Sequence, residues 1–308
     1  MLDIYYKTTK SSSFNKIKAI KDGVWINVDN AQKEDLEKIA KITDLDYADL
    51  QDTLDPYELP RIERHEDSII IFMRNPRNKT KSEFLYTQTL TIIITNKYFI
   101  TVSSSKNEII TPILENGIKF ATTQRARLLI HILLKISQKF TREIKTVRNN
   151  VLSQKKHIKH IESSDIIKLI ENEDILNQYL SALSPMRSVF KTIAKGKYIY
   201  LYEYDEDSLQ DMIISINQSV DLCDISIKSI QSLRDSYQII FTNRLNKVMK
   251  FLTSFTIIMT IPTIIASVYG MNVKLPLSQN PLAFLYIMIA TFIVSIVFVL
   301  IFFRRRWL

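Results

Sequence analysis

Residues 251–269 hold no charged side chain, and their length matches the roughly 20 apolar residues a helix needs to cross a bilayer. This stretch, within VMKFLTSFTIIMTIPTIIASVYGMN (248–272), constrains the chain most, because a lipid-exposed segment must satisfy its own backbone hydrogen bonds. Its polar residues are ordered. Thr253, Thr256, Thr260, Thr263 and Ser267 recur at steps of 3, 4, 3 and 4, which sets them on one helical face. Toward the N-terminus the stripe passes through Met249, Asn246, Thr242 and Asp235; toward the C-terminus it runs into Gly270, Met271 and Asn272. Small hydroxyl residues also let membrane helices pack closely. A stripe that continues to Asn246 and Asp235 and ends at Gly-Met-Asn favours a pore lining over packing alone.

A second apolar run, 282–303, enters through Pro281 and shows no polar stripe, so it is expected to face lipid. Flanking cations set the orientation. Arg244, Lys247 and Lys250 precede the first span, Arg304, Arg305 and Arg306 follow the second, and the loop 271–281 carries only Lys274. The positive-inside rule then places both termini in the cytoplasm, with the protein multi-pass in the inner or plasma membrane. The start, MLDIYYKTTK, has neither an apolar core nor a cleavage site, so no signal peptide is expected.

The 308 residues allow about two domains, and their 46% hydrophobic share is unevenly spread. Charge concentrates in the first ~245 residues, leaving the last sixty to the two spans. Cys223 is the only cysteine, which excludes an intramolecular disulfide and fits a reducing compartment. Four histidines and one cysteine do not make a closed zinc site. His157 and His160, among Lys155, Lys156 and Lys159, read as a solvated helix face. A net charge of +9 raises nucleic-acid binding, but no aromatic interleaving or binding module accompanies it. With four glycines, no phosphate-cradling loop, no nucleophile–base pair and no metal triad, the sequence does not read as an enzyme.

Residues 1–118 read as an α/β domain. Strand candidates are 17–20 and 24–28, separated by Asp22-Gly23, then SIIIFMR (68–74), LYTQTLTIIIT (85–95) and YFITVS (98–103), all rich in β-branched and aromatic residues. Helical spacing covers 31–42 and 45–54, with Asn30 and Asp44 available as caps. The aspartates at 46, 49, 52 and 55 read as caps and solvated positions. From 119 to 247 long helices are expected: 125–159, then 164–194 interrupted near Pro185, then one starting near Asp205. The cations of the first, Lys135, Lys139, Arg142, Lys145 and Arg148, form a solvated face. In the last, Leu209, Ile213, Ile216, Val220, Cys223, Ile227, Ile230, Tyr237 and Phe241 follow heptad spacing, with Arg234 in the one gap. This helix runs without Gly or Pro into the first span, so 205–269 would be a rod of roughly 100 Å. Such a rod needs neighbours, which implies an oligomer. The membrane part is 248–308: a first span over about 250–270, the loop 271–281, a second span over about 282–303 and the basic tail 304–308.

These residues resemble the CorA family of divalent-cation channels. The resemblance rests on Tyr269-Gly270-Met271-Asn272 at the outer end of the first of two spans, on NKVMKFLTSFTIIMTIP (246–262) and on the basic-aromatic end 304–308. It implies a funnel-shaped homopentamer: an α/β cytoplasmic domain, long stalk helices, and two transmembrane helices of which the first lines the pore. It further implies Gly270, Met271 and Asn272 as selectivity filter, and Thr256, Thr260 and Thr263 as oxygen ligands to the ion's water shell. Met249 and Leu252 would form an apolar constriction, with Asn246 and Asp235 at the cytoplasmic exit. Mg²⁺ would be both cargo and regulator, bound between subunits by Asp211 within the acidic stretch 203–211. Two features depart from the family pattern. The loop after Asn272 has no carboxylate, and the acid expected opposite Asp211 is replaced by Arg74-Asn75-Pro76-Arg77, leaving Asp55 or Glu58 as substitutes.

Three functions follow. The leading one is a channel for Mg²⁺, with Co²⁺ and Ni²⁺ as further cargo, driven by membrane potential and gated by cytoplasmic Mg²⁺. The second is a zinc transporter of the same superfamily. The third is a non-conducting, membrane-anchored coiled-coil scaffold or sensor, against which the polar stripe argues.

Overall fold

Strand-forming residues gather at the N-terminal end of the chain. The computed structural model describes residues 2–11, 13–77, 85–116, 119–155, 163–201, 205–273, 275–276 and 280–307. Seven strands occur among them: β1 (Leu2–Tyr6), β2 (Asn15–Ile17), β3 (Trp25–Val28), β4 (Arg61–His65), β5 (Ser68–Pro76), β6 (Thr87–Ile94) and β7 (Phe99–Ser103). They form one sheet in the order β2-β1-β3-β7-β6-β5-β4, antiparallel throughout except for parallel β3 and β7. The apolar runs SIIIFMR and TLTIII fill β5 and β6, which are buried at every residue. With side chains alternating between faces, Ile70, Phe72, Ile93 and Ile100 join Leu36, Ile39 and Leu50 in a core on one face. The intervening Ile71, Met73 and Ile92 are buried as well, which requires a cover on the opposite face.

That first core is closed by α1 (Lys33–Thr43) and α2 (Tyr47–Leu50), the latter continued by a 3-10 turn, Gln51–Leu54. The caps differ from expectation. Gln32, not Asn30, precedes α1, and its N–H donates to Asp35 Oδ2 at 3.4 Å; Asn30 itself takes a left-handed φ of 53°. Asp44 closes α1 in the left-handed region instead of opening α2, whose cap is Asp46, with Oδ1 accepting from Ala48 N–H at 3.1 Å. A short polar residue in that conformation ends a helix at small steric cost.

Two strands arise where none is expected, β1 and β4. The latter forms the sheet edge and reads RIERH, polar because an unpaired edge is protected by charge. Arg61 sits over the Phe72 ring and binds Asp52 at 2.8 Å, Glu63 at 2.6 Å, and Glu58. His65 lies 3.2 Å from Asp49.

Helices α3 (Ile110–Asn116), α4 (Arg125–Lys155), α5 (Ser163–Ala194), α6 (Glu206–Tyr269) and α7 (Ala283–Arg304) complete the chain. Packing of α4 and α5 against β5 covers the second face. Phe140 and Tyr179 join these helices edge to face, at 5.4 Å. The cationic face of α4 is solvated at Lys135, Arg142, Lys145 and Arg148, whereas Lys139 binds Glu108 at 2.5 Å. Pro185 does not interrupt α5. A mid-helix proline normally costs about 3 kcal/mol, and burial of Ala182, Leu183, Met186, Val189 and Phe190 around it offsets that cost.

The chain divides into two compact units, Met1–Ser232 and Leu233–Leu308. Within the first, the covered seam of α6 runs Leu209, Met212, Ile216, Ser219, Cys223, Ser226 and Ile230. The expected stripe shares Leu209, Ile216, Val220, Cys223 and Ile230, but Ile213 and Ile227 are only partly buried and the covered positions there are Met212 and Ser226, one residue earlier. Ser219 and Ser226 tolerate burial because their hydroxyls donate to Ser215 O at 2.9 Å and Leu222 O at 2.6 Å. Thr141 of α4 also meets Ser219, at 2.7 Å. Burial raises the Cys223 thiol to about 12. The expected solvated face at His157 and His160 lies outside the described residues. So do Glu203 and the loop residues Lys274, Leu277, Ser278 and Gln279.

Candidate functional site

The second unit contains the polar stripe. Asp235, Thr242, Asn246, Met249, Thr253, Thr256, Thr260, Thr263 and Ser267 are all exposed along α6. The covered positions lie elsewhere on the helix: Ser254 is fully buried, and Ile257, Ile258, Ile261, Pro262 and Ile265 are partly so. At 100° per residue the two sets stand roughly 150° apart. One face of this helix is therefore covered within the chain, and the hydroxyl stripe lies on nearly the opposite one.

The hydroxyl hydrogens of three of that stripe's threonines are already committed. Thr256 Oγ1 donates to Leu252 O at 2.9 Å, Thr260 to Thr256 O at 2.8 Å, and Thr263 to Met259 O at 3.1 Å. A hydroxyl has one hydrogen and two lone pairs. With the hydrogen spent on the backbone, each Oγ1 offers only an acceptor. A hydrated cation turns its water hydrogens outward, so an acceptor wall suits it and an anion's shell would not be matched.

Tyr269 ends α6, and Gly270, Met271 and Asn272 follow, all exposed. The Gly270 N–H still bonds Ala266 O at 2.9 Å, and Met271 N–H bonds Val268 O at 3.3 Å, so the signature is an extension of the helix end. Its φ is not left-handed, and an added Cβ would meet Ala266 O at 3.2 Å, a tight contact with backbone. A helix C-terminus carries about half a negative charge. The exposed amide of Asn272 thus stands where both the dipole and its own carbonyl oxygen favour a cation. At the other end, Met249 and Leu252 are 57% and 61% exposed, with Lys250 and Phe251 between them in the sequence.

The second apolar helix is less uniform than its sequence suggests. Ala283, Ile287, Thr291, Ser295, Phe298 and Phe302 make one less exposed face, so α7 is not lipid-facing all round. Thr291 donates to Ile287 O at 2.8 Å. The i, i+4 pair Thr291–Ser295 was the available signal. Arg304 closes α7, and Arg305 and Arg306 follow it.

The residues considered for regulation belong to the first unit and are not brought into one cluster. Asp211 is exposed on α6. Asp55 Oδ1 caps Tyr57 N–H at 2.8 Å, and Glu58 Oε1 accepts from Leu59 N–H at 2.9 Å while binding Arg61. Both carboxylates therefore serve the loop they sit in. Arg74, in the place of the missing acid, is buried and donates to Pro56 O at 2.7 Å, Glu58 O at 3.1 Å and Thr87 Oγ1 at 2.8 Å. Burial holds its guanidinium below the ordinary arginine value, and neighbouring Arg77 adds to this. It is a structural tie between the 55–60 loop and β5–β6. Among the described residues no group of three His, Cys, Asp or Glu could hold a metal ion.

Comparison with known proteins bears on this arrangement. The cobalt/magnesium transport protein CorA of Methanocaldococcus jannaschii is 27% identical over 300 residues, covering 92% of this chain and 91% of that protein. The complete structure of the CorA magnesium transporter from the same organism superposes with a TM-score of 0.85 at 24% identity, over 100% of this chain and 99% of that one. The ZntB cytoplasmic domain from Vibrio parahaemolyticus shares the fold at a TM-score of 0.65 and 12% identity, over 78% of this chain and 98% of that one. Residues 21–305 match the family described as CorA-like Mg²⁺ transporter protein, and the chain belongs to that family.

Proposed function

We propose that this protein conducts Mg²⁺ into the cell, with Co²⁺ and Ni²⁺ as further cargo, as a homopentamer whose α6 helices surround the pore. The observation that carries the reading is the exposed stripe of acceptor-only threonine hydroxyls leading to Gly270-Met271-Asn272. Mg²⁺ sheds water reluctantly. A ring of Asn272 amides would hold its hydration shell by hydrogen bonds, and neutral oxygens release the ion more readily than carboxylates. Gly270 and Met271 complete this selectivity filter. From there the ion descends past Ser267, Thr263, Thr260 and Thr256 to the constriction at Leu252 and Met249, and leaves along Asn246, Thr242 and Asp235. Each positive charge gains about 2.3 kcal/mol per 100 mV, so a divalent ion gains over 4 kcal/mol on entry without ATP. Both termini lie in the cytoplasm. The chain serves this task in three parts: a sheet domain (1–118), a helical stalk (119–247) and the membrane part (248–308).

Regulation by cytoplasmic Mg²⁺ runs through Asp211. Asp55 and Glu58 remain the candidate partners, although both already cap their own loop. A zinc-transporting reading has the shared fold behind it, and separates by ion panel. The test is flux in proteoliposomes, comparing Mg²⁺, Co²⁺, Ni²⁺ and Zn²⁺ with and without a proton gradient, for the natural protein and for Asn272→Ala. Potential-driven Mg²⁺ flux that disappears in an assembled Asn272→Ala channel is the expected result. Natural-level flux in that variant removes the filter assignment, and flux of Zn²⁺ alone, raised by a proton gradient, replaces the cargo.

A further inference from the structure

Asp235 is the last acidic side chain in the sequence; seven Lys and Arg residues and no Asp or Glu come after it. Five of these cations fall at one depth. From Lys250 to Tyr269 the helix rises roughly 29 Å, and α7 spans roughly 32 Å, each close to the ~30 Å of a bilayer's hydrocarbon core. Lys250 and Arg304 therefore meet the same membrane surface, on the side away from the loop that joins the spans. Lys247 lies one turn farther out, and Arg305 and Arg306 continue past the end of α7. All five are exposed, and among the described residues none of them forms an ion pair.

The end of α7 is built as a turn. Arg306 takes a left-handed φ of 58°, unfavourable for any residue with a Cβ. Around it, Arg306 N–H bonds Phe303 O at 3.1 Å and Trp307 N–H bonds Phe302 O at 3.0 Å, a Schellman closure. The Trp307 ring stacks on Phe302 with centroids 5.6 Å apart and planes 14° from parallel. The chain thus folds its indole back to the edge of the apolar span, the depth where tryptophan settles in membranes. The three arginines are set around the turn instead of being carried on along the helix axis.

We propose that Lys247, Lys250, Arg304, Arg305 and Arg306 form a belt that binds the phosphates of anionic phospholipids in the adjacent leaflet. At this depth lipid phosphates supply the counter-charge that the sequence lacks, and guanidinium groups match phosphate oxygens two at a time. The belt depends on the two-span topology and not on ion conduction. It also has a consequence for conduction, since an unneutralised ring of cations beside the exit would repel a departing divalent ion.

The test uses the full chain, purified from bilayers of mixed phosphatidylglycerol and phosphatidylcholine, with retained lipid counted by native mass spectrometry. The natural protein should enrich phosphatidylglycerol at least tenfold, because each cation near an anionic surface contributes about fivefold. R304Q/R305Q/R306Q should lose about 100-fold in phosphatidylglycerol affinity by the same scale, while R304K/R305K/R306K stays within about fivefold of the natural protein. If the glutamine variant does not fold, K247Q/K250Q carries the comparison, with an expected loss of about 25-fold. Equal retention of the two lipids by the natural protein, or unchanged enrichment in a folded glutamine variant, overturns the belt. So does displacement of the lipid by millimolar inorganic phosphate, which would reveal a site for soluble anions. Asn272→Ala should retain lipid as the natural protein does, so loss of flux with lipid kept counts against the conduction reading alone.

Discussion

Ile216, Cys223 and Ile230 are fully buried, whereas Met249, Leu252 and Ile264, on the same helix α6, are more than half exposed. Both sets are apolar, and both recur at helical spacing. In the first unit the chain supplies its own cover, from the sheet through α4 and α5 to the seam of α6. In the second unit it covers one face and leaves the rest bare. An apolar side chain left in water forfeits about 25 cal/mol for each Å² exposed. For the second unit, then, water is the wrong surrounding medium, and lipid and other copies of the chain are the natural ones. The hydroxyl stripe acquires its meaning from this contrast, because it is the polar part of a surface that is otherwise apolar.

The largest expected effect breaks the contrast at its centre. Phe72 is fully buried in the sheet core, beneath the Arg61 guanidinium. Phe72→Ala should destabilise the first unit by about 3–5 kcal/mol, whereas Ile264→Ala should leave its denaturant midpoint unchanged. Comparable losses for the two in chemical denaturation followed by tryptophan fluorescence would mean that the units are not distinct in their cohesion. Trp25, at the β3–β7 junction and bonded to Thr101 at 2.8 Å, reports on the first unit directly.

Cys223 probes the same seam without substitution. Burial raises its thiol to about 12 from an ordinary 9.0, so at pH 8 the folded thiolate should be about a thousandfold scarcer than in an open chain. The sign is simple: a thiol destabilised as thiolate by folding loses stability as pH climbs past its unfolded value. Alkylation should therefore be negligible in the folded protein at pH 8 and rapid in denaturant. Fast labelling of native protein would show that the seam opens, and would move α6 of the first unit to the exposed side of the comparison.

Much of this contrast is legible in the sequence, and the failures have physical causes. Charge-free 251–269 announces a span because its length and lack of charge suit a bilayer, and SIIIFMR announces a buried strand because its β-branched and aromatic run suits a covered sheet. RIERH does not, since an edge strand is chosen for its ability to remain unpaired, and its alternation is of charge with Ile62 alone marking the core. The one-residue slip of the seam follows from composition. Ile213 and Ile227 advertise themselves, while the true seam passes through Ser219 and Ser226, whose hydroxyls are satisfied by their own helix. Pro185 misleads because a local rule was overridden by tertiary burial. In the hydroxyl stripe the spacing of threonines is legible, but not the direction of their hydrogens, which depends on rotamers.

That direction gives a smaller effect. Thr260→Ser keeps a hydroxyl able to bond Thr256 O, and should retain most of the flux. Thr260→Val keeps the shape and removes the acceptor, and should lower Mg²⁺ flux about tenfold, the equivalent of roughly one lost hydrogen bond to the hydration shell. Purified oligomers of both variants should be indistinguishable in thermal stability, because Thr260 is exposed in the chain. Equal flux in the serine and valine variants would leave the stripe as a packing device for close helix approach.

The smallest effect is expected at Asp211, where the two regions would have to communicate. Its carboxylate is exposed on the first unit, and among the described residues it belongs to no group of three His, Cys, Asp or Glu that could hold a metal ion. If divalent ions gather Asp211 residues from neighbouring copies, they cancel a mutual repulsion and favour the closed arrangement. A ligand shifts such an equilibrium only by its differential affinity for the two states. With exposed carboxylates that difference is small, since exposed charge pairs contribute about 0–1 kcal/mol. Asp211→Ala should therefore raise the Mg²⁺ concentration that inhibits flux by no more than about fivefold, leaving flux at low Mg²⁺ unchanged. Asp211→Lys places a fixed cation where the ion would sit, and should make closure less dependent on Mg²⁺. Protease protection of the first unit at millimolar Mg²⁺ should move in parallel with inhibition. Should neither variant alter inhibition or protection, the exposed carboxylate is only a solvated position, and whatever couples the two regions runs through other residues.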